Sequence, residues 1–251
     1  MLSLPDAGRW WFERLFPIGK RATLMLGPLA RPFLDNMPLP DRETLDATEA
    51  VFDQLGRLCQ LLANPDLSSM RLVVNPGKMV IKEAQRTYTY LNLYGYVSDA
   101  VICNRVFPED ADGYFSARRE TQARYLQMIE EGFSPLPILK APCFGQAGLR
   151  RMAEALYGDG DPARLLYRGR TPTIEEEEDG YVLNLPLPFA ARDDLVLLRA
   201  GDELTVKVGS LRRNLVLPRA LSGLGIRQAK LVDDTLKIRF EKHHKEADHD
   251  E

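Results

Sequence analysis

Residues 71–105 read RLVVNPGKMVIKEAQRTYTYLNLYGYVSDAVICNR, and this stretch decides the fold because two buried strands bracket one helix in it. Leu72, Val73 and Val74 form a short apolar run stopped by Asn75-Pro76, the pattern of a strand covered on both faces. Val80, Ala84, Tyr88 and Leu91 then recur at helical spacing with Lys82, Glu83 and Arg86 between them, so a helix packs one face onto a sheet. Gly95 ends it. A second apolar run, residues 100–103, leads into Asn104 and Arg105. Two such strands joined through a helix are parallel and connected right-handedly, which makes this a βαβ unit. In open α/β sheets ligands sit beyond the carboxyl ends of the strands, so Asn75-Pro76-Gly77 and Asn104-Arg105 are expected on the functional edge.

Beyond the unit the alternation continues. Residues 113–132 place Phe115, Gln122, Tyr125, Leu126 and Ile129 among Arg and Glu, a second amphipathic helix. Residues 137–140 make a short strand running into Ala141-Pro142-Cys143-Phe144-Gly145, and a helix follows over about 147–157. Residues 158–178, GDGDPARLLYRGRTPTIEEEE, are too rich in Gly, Pro and charge to bury a core and read as a linker, with the glutamates at 175–178 as a solvated strand edge or linker. Then the period changes: short, partly alternating runs at 181–186, 195–198, 204–208, 213–218, 229–232 and 236–240 are separated by turn residues, the pattern of an antiparallel β-sandwich. The polar tail from His243 is expected to be disordered, and its three histidines imply no fixed metal geometry.

Upstream, Trp10, Trp11, Phe12, Leu15 and Phe16 crowd one short amphipathic helix, and prolines at 17, 28, 32, 38 and 40 break the chain after it into short pieces. Asp41 can cap a helix with a core-facing stripe of Leu45, Phe52, Leu55, Cys59 and Leu62. Two readings stand: a helical subdomain with an ordinary core, or an apolar groove for a partner helix lined by Trp10, Trp11, Leu15, Phe16, Met25, Phe33 and Met37.

Basic and acidic residues nearly cancel, 33 against 36, so no global field favours nucleic acid or an anionic membrane. Cys59, Cys103 and Cys143 are dispersed among apolar neighbours, which fits reduced, buried thiols rather than a metal site or disulfide. No apolar run approaches the ~20 residues that span a bilayer, and the N-terminus has no secretory pattern, so a cytoplasmic location is expected.

The strand ending VNP-x-K, the helix MVIKEAQRTYTYLNLYGY and the strand closing VICNRVFPED together resemble the ArsA-type ATPases, a family of arsenite-efflux pump ATPases and of ATPases that deliver tail-anchored membrane proteins. PILKAPCFGQAGLRRM extends the likeness. The resemblance implies the C-terminal part of a P-loop NTPase parallel sheet with a helical subdomain, and ATP with Mg as cofactor. Asn104 matches the family's adenine-reading position, with Arg105 beside it, and Pro142, Cys143 and Phe144 match its adenine-wrapping loop. Without the resemblance, Asn104 could merely cap a strand end and residues 142–144 form a packing turn. The order GDELTVKVG, RRNLVLP, AKLVDDTLKIRF resembles the small heat-shock-protein (α-crystallin) domain, an immunoglobulin-like all-β sandwich. The expected plan is a helical subdomain at 1–66, an α/β part with the adenine loop at 67–165, a linker at 166–178, the sandwich at 179–242 and a tail at 243–251.

Phosphoryl transfer needs a phosphate cradle, a lysine, and Ser or Thr with a carboxylate for Mg. The sequence contains no GxxxxGK[ST], no GKGGVGK and no DTAP-type segment, so it names no catalytic residue. In relatives these motifs lie upstream. The chain therefore resembles a C-terminal portion whose P-loop half is a separate chain, or was lost by truncation or a misplaced start codon. The three-stranded sheet would expose an apolar edge without more strands. Gly77 stands where the family commonly places a dimer-bridging Glu, which puts nucleotide-driven homodimerisation in doubt, while Lys78 and Arg105 remain as nearby cations. The implied function couples ATP binding and hydrolysis to anion transport or membrane-protein targeting. Its partners would be the N-terminal ATPase half or a complete paralogue, and an apolar client helix or membrane-pump subunit. The alternative is a non-catalytic client-binding or regulatory module built on the helical region and the sandwich.

Overall fold

A computed structural model describes residues 42–108, 116–143 and 149–241. Trp10, Trp11, Leu15, Phe16, Met25, Phe33, Met37, Phe115 and Phe144 and the tail lie outside the described residues. The chain divides into two compact units, Met1–Leu67 and Ser68–Glu251.

In the first unit, helix α1 (Arg42–Ala63) buries Leu45 and half-buries Phe52, Cys59 and Leu62. Leu55, expected on that face, is exposed. At 100° per residue it falls in line with Val51 and Leu58, and all three form a neighbouring uncovered apolar stripe.

The second unit opens with β1 (Met70–Val74), α2 (Lys78–Leu93), β2 (Ser98–Val106), α3 (Ser116–Gly132), β3 (Ile138–Pro142) and α4 (Leu149–Tyr157). The strands form a parallel sheet in the order β1-β2-β3. Gly95, in the left-handed region at φ 79, turns the chain out of α2 as its missing Cβ permits. Leu72, Val74, Val101 and Cys103 are buried on the sheet, and α2 buries Ile81, Ala84 and Leu91. Val73 is 61% exposed, however, and its register partners Ile102 and Leu139 are half-buried. The expectation of burial on both faces of β1 therefore fails on one. Successive residues of a strand point to opposite faces, so Leu72 and Val74 are buried on one face while Val73 is left exposed on the other.

Arg71 and Asp99 sit at the opposite, amino-terminal ends of β1 and β2 and bond through Arg71 Nε to Oδ1 (3.1 Å) and Nη2 to Oδ2 (3.0 Å). Asp99 is fully buried, and the bond to it holds the Arg71 pKa above the ordinary value. The remaining guanidinium protons go to Pro162 O (2.6 Å), Arg164 O (2.8 Å) and the Tyr157 hydroxyl (3.3 Å), while Leu166 N donates to Asp99 Oδ2 (3.2 Å). Residues 162–166, part of the passage whose composition reads as a linker, are thus fastened to the sheet. The cause is a charge pair two residues cannot satisfy alone, which recruits backbone groups from the passing chain.

Strands β4 (Thr173–Glu177), β5 (Gly180–Pro186), β6 (Leu195–Ala200), β7 (Glu203–Val208), β8 (Leu211–Val216), β9 (Gly225–Val232) and β10 (Thr235–Glu241) form two antiparallel sheets, β4-β5-β10-β9 and β6-β7-β8. Alternate residues Leu236, Ile238 and Phe240 of β10 and Leu204, Val206 and Val208 of β7 fill the core between them. At Gly180 a Cβ would lie 1.9 Å from Phe240 O, so only glycine allows that pairing. The glutamates at 175–177 are an exposed edge strand, whose charge blunts pairing with other chains.

The sandwich is docked on α2. Thr89 Oγ1 donates to Pro188 O (2.6 Å), Tyr94 OH to Arg212 O (2.6 Å) and Arg213 Nη1 to Leu93 O, while the Phe189 ring meets Phe133 at 5.4 Å and Tyr88 at 6.3 Å. We expect Arg71→Ala to destabilise the chain by about 3 kcal/mol, because it strands a buried carboxylate. An Arg71→Met, Asp99→Leu pair should recover most of that loss. Urea midpoints of the three proteins check both statements.

Candidate functional site

The carboxyl edge of the parallel sheet brings together the ends of β1, β2 and β3. Val74 pairs with Cys103, so Asn75 leaves β1 beside Asn104. Past the apolar run at residues 100–103, β2 continues through Asn104 and Arg105. Cys103 aligns with Lys140 but Val106 aligns with Pro142, leaving two residues of β2 opposite Ala141 alone: a β-bulge. Arg105 takes the strained left-handed conformation, φ 59, that this extra residue requires.

Gln122 locks the bulge. Its Nε2 donates to Arg105 O (3.0 Å), and its Oε1 accepts from Phe107 N (2.8 Å). Cys143 N closes the other side by donating to Val106 O (2.7 Å). Gln122 reaches in because it shares the buried face of α3 with Ile129, two turns further along the helix. The bulge leaves Asn104 half-buried, with no side-chain hydrogen bond among the described residues. Next to it, Asn75 Oδ1 is buried without a partner. Unmade hydrogen bonds in partly buried amides are costly, so such groups commonly await a ligand or water.

Of the residues singled out from sequence, Asn104, Arg105, Pro142 and Cys143 are brought together; Arg105 and Cys143 are exposed and Pro142 half-buried. Lys78 opens α2 in solvent. Gly77 is extended, φ −168, with open space around a would-be Cβ, so the backbone here does not demand glycine. The expectation of uniformly buried thiols holds for Cys103 alone. Cys59 is half-buried, and Cys143 is exposed because β3 ends in front of it. Burial pushes the Cys103 pKa up to about 11.

The sequence profile described as anion-transporting ATPase matches residues 1–158, well over half of the chain. The chain belongs to the anion-transporting ATPase family. A second profile, the HSP20-like domain found in ArsA, matches residues 178–240 and so covers most of the sandwich. A protein of Aquifex aeolicus strain VF5 named as an arsenical pump-driving ATPase is 32% identical over 250 residues, covering 94% of this chain and 62% of that protein. A protein of Chlorobaculum tepidum with the same kind of name is 34% identical over 253 residues, covering 96% and 62%. The chain thus spans about three fifths of the length of the curated relatives it matches. The crystal structure of hspA from Xanthomonas axonopodis superposes with a TM-score of 0.24 at 21% identity, covering 29% of this chain and 91% of that one.

The sequence placed Gln122 in an amphipathic helix but did not disclose its clamp. A single Gln carries no motif, and only the bulge creates a need for it. We expect Gln122→Leu to cost about 1–3 kcal/mol through the two unpaired backbone groups, and to speed amide exchange at Phe107 before the rest of β2. Thiol labelling offers a second check: Cys143 should react in the native ATPase-family chain, whereas Cys103 should wait for unfolding at neutral pH.

Proposed function

We propose that this chain supplies the base-reading side of an ATP site in an ATPase that couples nucleotide hydrolysis to anion transport or to membrane-protein targeting in the cytoplasm. One observation carries the reading: an Asn104 side chain left without a bond by a locked bulge, beside the unpartnered Asn75 Oδ1. A carboxamide both donates and accepts, the pair of functions that the edge of adenine presents in complementary form. Asn104 would read that edge, with Pro142, Cys143 and Phe144 holding the base and Arg105 at its rim. ATP bound with Mg would supply the phosphoanhydride bond whose cleavage drives the work. The residues that move protons or hold phosphate would come from a P-loop-bearing segment corresponding to the unmatched part of the relatives.

That segment has a place to go. Strand β1 is an edge of the described sheet, and Val73, 61% exposed, leaves apolar surface on that strand. Covering it with further strands and helices is what an α/β sheet of this type requires. The relatives' names refer to arsenicals, yet arsenite chemistry wants soft thiolates held close together. Cys59, Cys103 and Cys143 are dispersed along the chain, so we favour a protein or another cargo.

A second reading, a client-binding module, is favoured by the uncovered stripe of Val51, Leu55 and Leu58 on α1, which has the spacing that an apolar partner helix would meet.

Calorimetric titration with Mg-ATP, of the chain alone and mixed with a P-loop-bearing segment, tests the first reading. Binding and turnover should appear in the mixture. There, Asn104→Ala should weaken binding by about tenfold, since one hydrogen bond to a buried amide is lost. Unchanged affinity in that variant would remove Asn104 from the site, and silence in the mixture of folded partners would leave the client-binding reading.

A further inference from the structure

A second concavity lies well away from the carboxyl edge, at the junction of the α/β part with the sandwich. It is a cleft of about 310 Å3, within the lower size range of small-molecule sites, which favour such junctions. Helix α2 contributes Tyr88 and Asn92, the fastened passage before β4 contributes Tyr167 and Arg170, and the turn between β9 and β10 contributes Asp233 and Asp234.

The turn is a two-residue connection with both residues in the left-handed region, Asp233 (φ 48) and Asp234 (φ 57), a conformation aspartate tolerates, and it sets two carboxylates side by side. The donation from Leu187 N to Asp234 O (2.7 Å) anchors the turn to the chain leaving β5. Phe189 at φ 61 is a third left-handed residue beside the same cleft, and its ring braces Tyr88. Of the three, only Phe189 is strained by it, since aspartate tolerates this region and a bulky aromatic residue does not.

The charges are unbalanced. Neither carboxylate has an ion-pair partner among the described residues; Arg170 Nη1 reaches only Asp233 O, at 3.4 Å. The cleft lining thus holds one guanidinium and two carboxylates, a net negative charge beside two tyrosines. Tyr88 adds none, since burial raises its pKa above the ordinary tyrosine value and its hydroxyl stays neutral. Its ring is fixed by Phe133 at 5.9 Å as well as by Phe189. Carboxylates next to tyrosine faces are the combination that attracts a cation with an apolar body.

We propose that this cleft binds a small organic cation, an ammonium or guanidinium on a short apolar body, its charge at Asp233 and Asp234 and its body along Tyr88 and Tyr167. The site is independent of the nucleotide reading, because it uses none of the carboxyl-edge residues. Since its walls come from both the α/β part and the sandwich, a bound cation ties the two together.

The test is titration of the full chain with n-butylguanidinium, followed by calorimetry and by chemical shifts of Tyr88 and Tyr167, with butanol and butyrate as neutral and anionic matches. Saturable binding of the cation alone is expected. Asp233→Asn with Asp234→Asn should weaken it by about tenfold or more, at an unchanged melting temperature. Arg170→Gln, which removes the competing positive charge, should tighten it. Equal binding of butyrate, no effect of the asparagine pair, weakening by Arg170→Gln, or no saturable binding to the folded chain would each overturn the proposal. Binding of a hexalysine peptide without binding of n-butylguanidinium would overturn it in favour of a polypeptide partner.

Discussion

Asp99 is a carboxylate with no exposure at all, and the lower half of the second unit is arranged around that fact. A buried negative charge must be met by a cation and by further hydrogen bonds, or it cannot stay charged. Arg71 meets it from the neighbouring strand. Leu166 N completes the shell, and the protons that Arg71 has left over reach Pro162 O and Arg164 O. One electrostatic requirement therefore sets β1 against β2, seats the end of α4 through Tyr157, and fixes the path by which the chain leaves the parallel sheet for the sandwich.

This arrangement shows which features a sequence can disclose. The alternation of LVV, a helical stripe and AVIC announced the βαβ unit because burial imposes period and length on local stretches. The change to period two announced the sandwich for the same reason. Arg71 and Asp99, by contrast, are 28 residues apart and each is ordinary in its own surroundings. Residues 158–178 looked like a linker because composition reports what a segment can bury, not which backbone carbonyls it can offer. The docking of Phe189 on Tyr88 and Phe133 was equally silent, since it joins residues from three separate elements.

The candidate site divides along the same line. Asn104, Pro142 and Cys143 were legible through the resemblance, and the parallel register does bring them to one edge. What holds them was not. A bulge is an excess of one residue in one strand relative to its partner, so it exists only once the pairing is known. The left-handed Arg105 and the Gln122 clamp follow from the bulge and share its invisibility. Cys143 went wrong for a related reason: apolar neighbours in sequence do not bury a residue that lies just past the end of its strand.

Helix α2 joins the two regions. Its first turn follows Asn75-Pro76-Gly77 at the carboxyl edge, and its last two turns carry Thr89, Leu93 and the adjoining Tyr94, which hold the sandwich. Three of those contacts end on main-chain carbonyls, of Pro188, Arg212 and Leu93. Bonds to the main chain fix position more tightly than pairs of long charged side chains, which give way at little cost. The HSP20-like part is thus built onto the ATPase fold, not hung from it. A rigid displacement of α2 at its edge end would carry β8 and the segment after β5 with it, because the alternative is to break part-buried hydrogen bonds and separate the rings of Tyr88, Phe133 and Phe189.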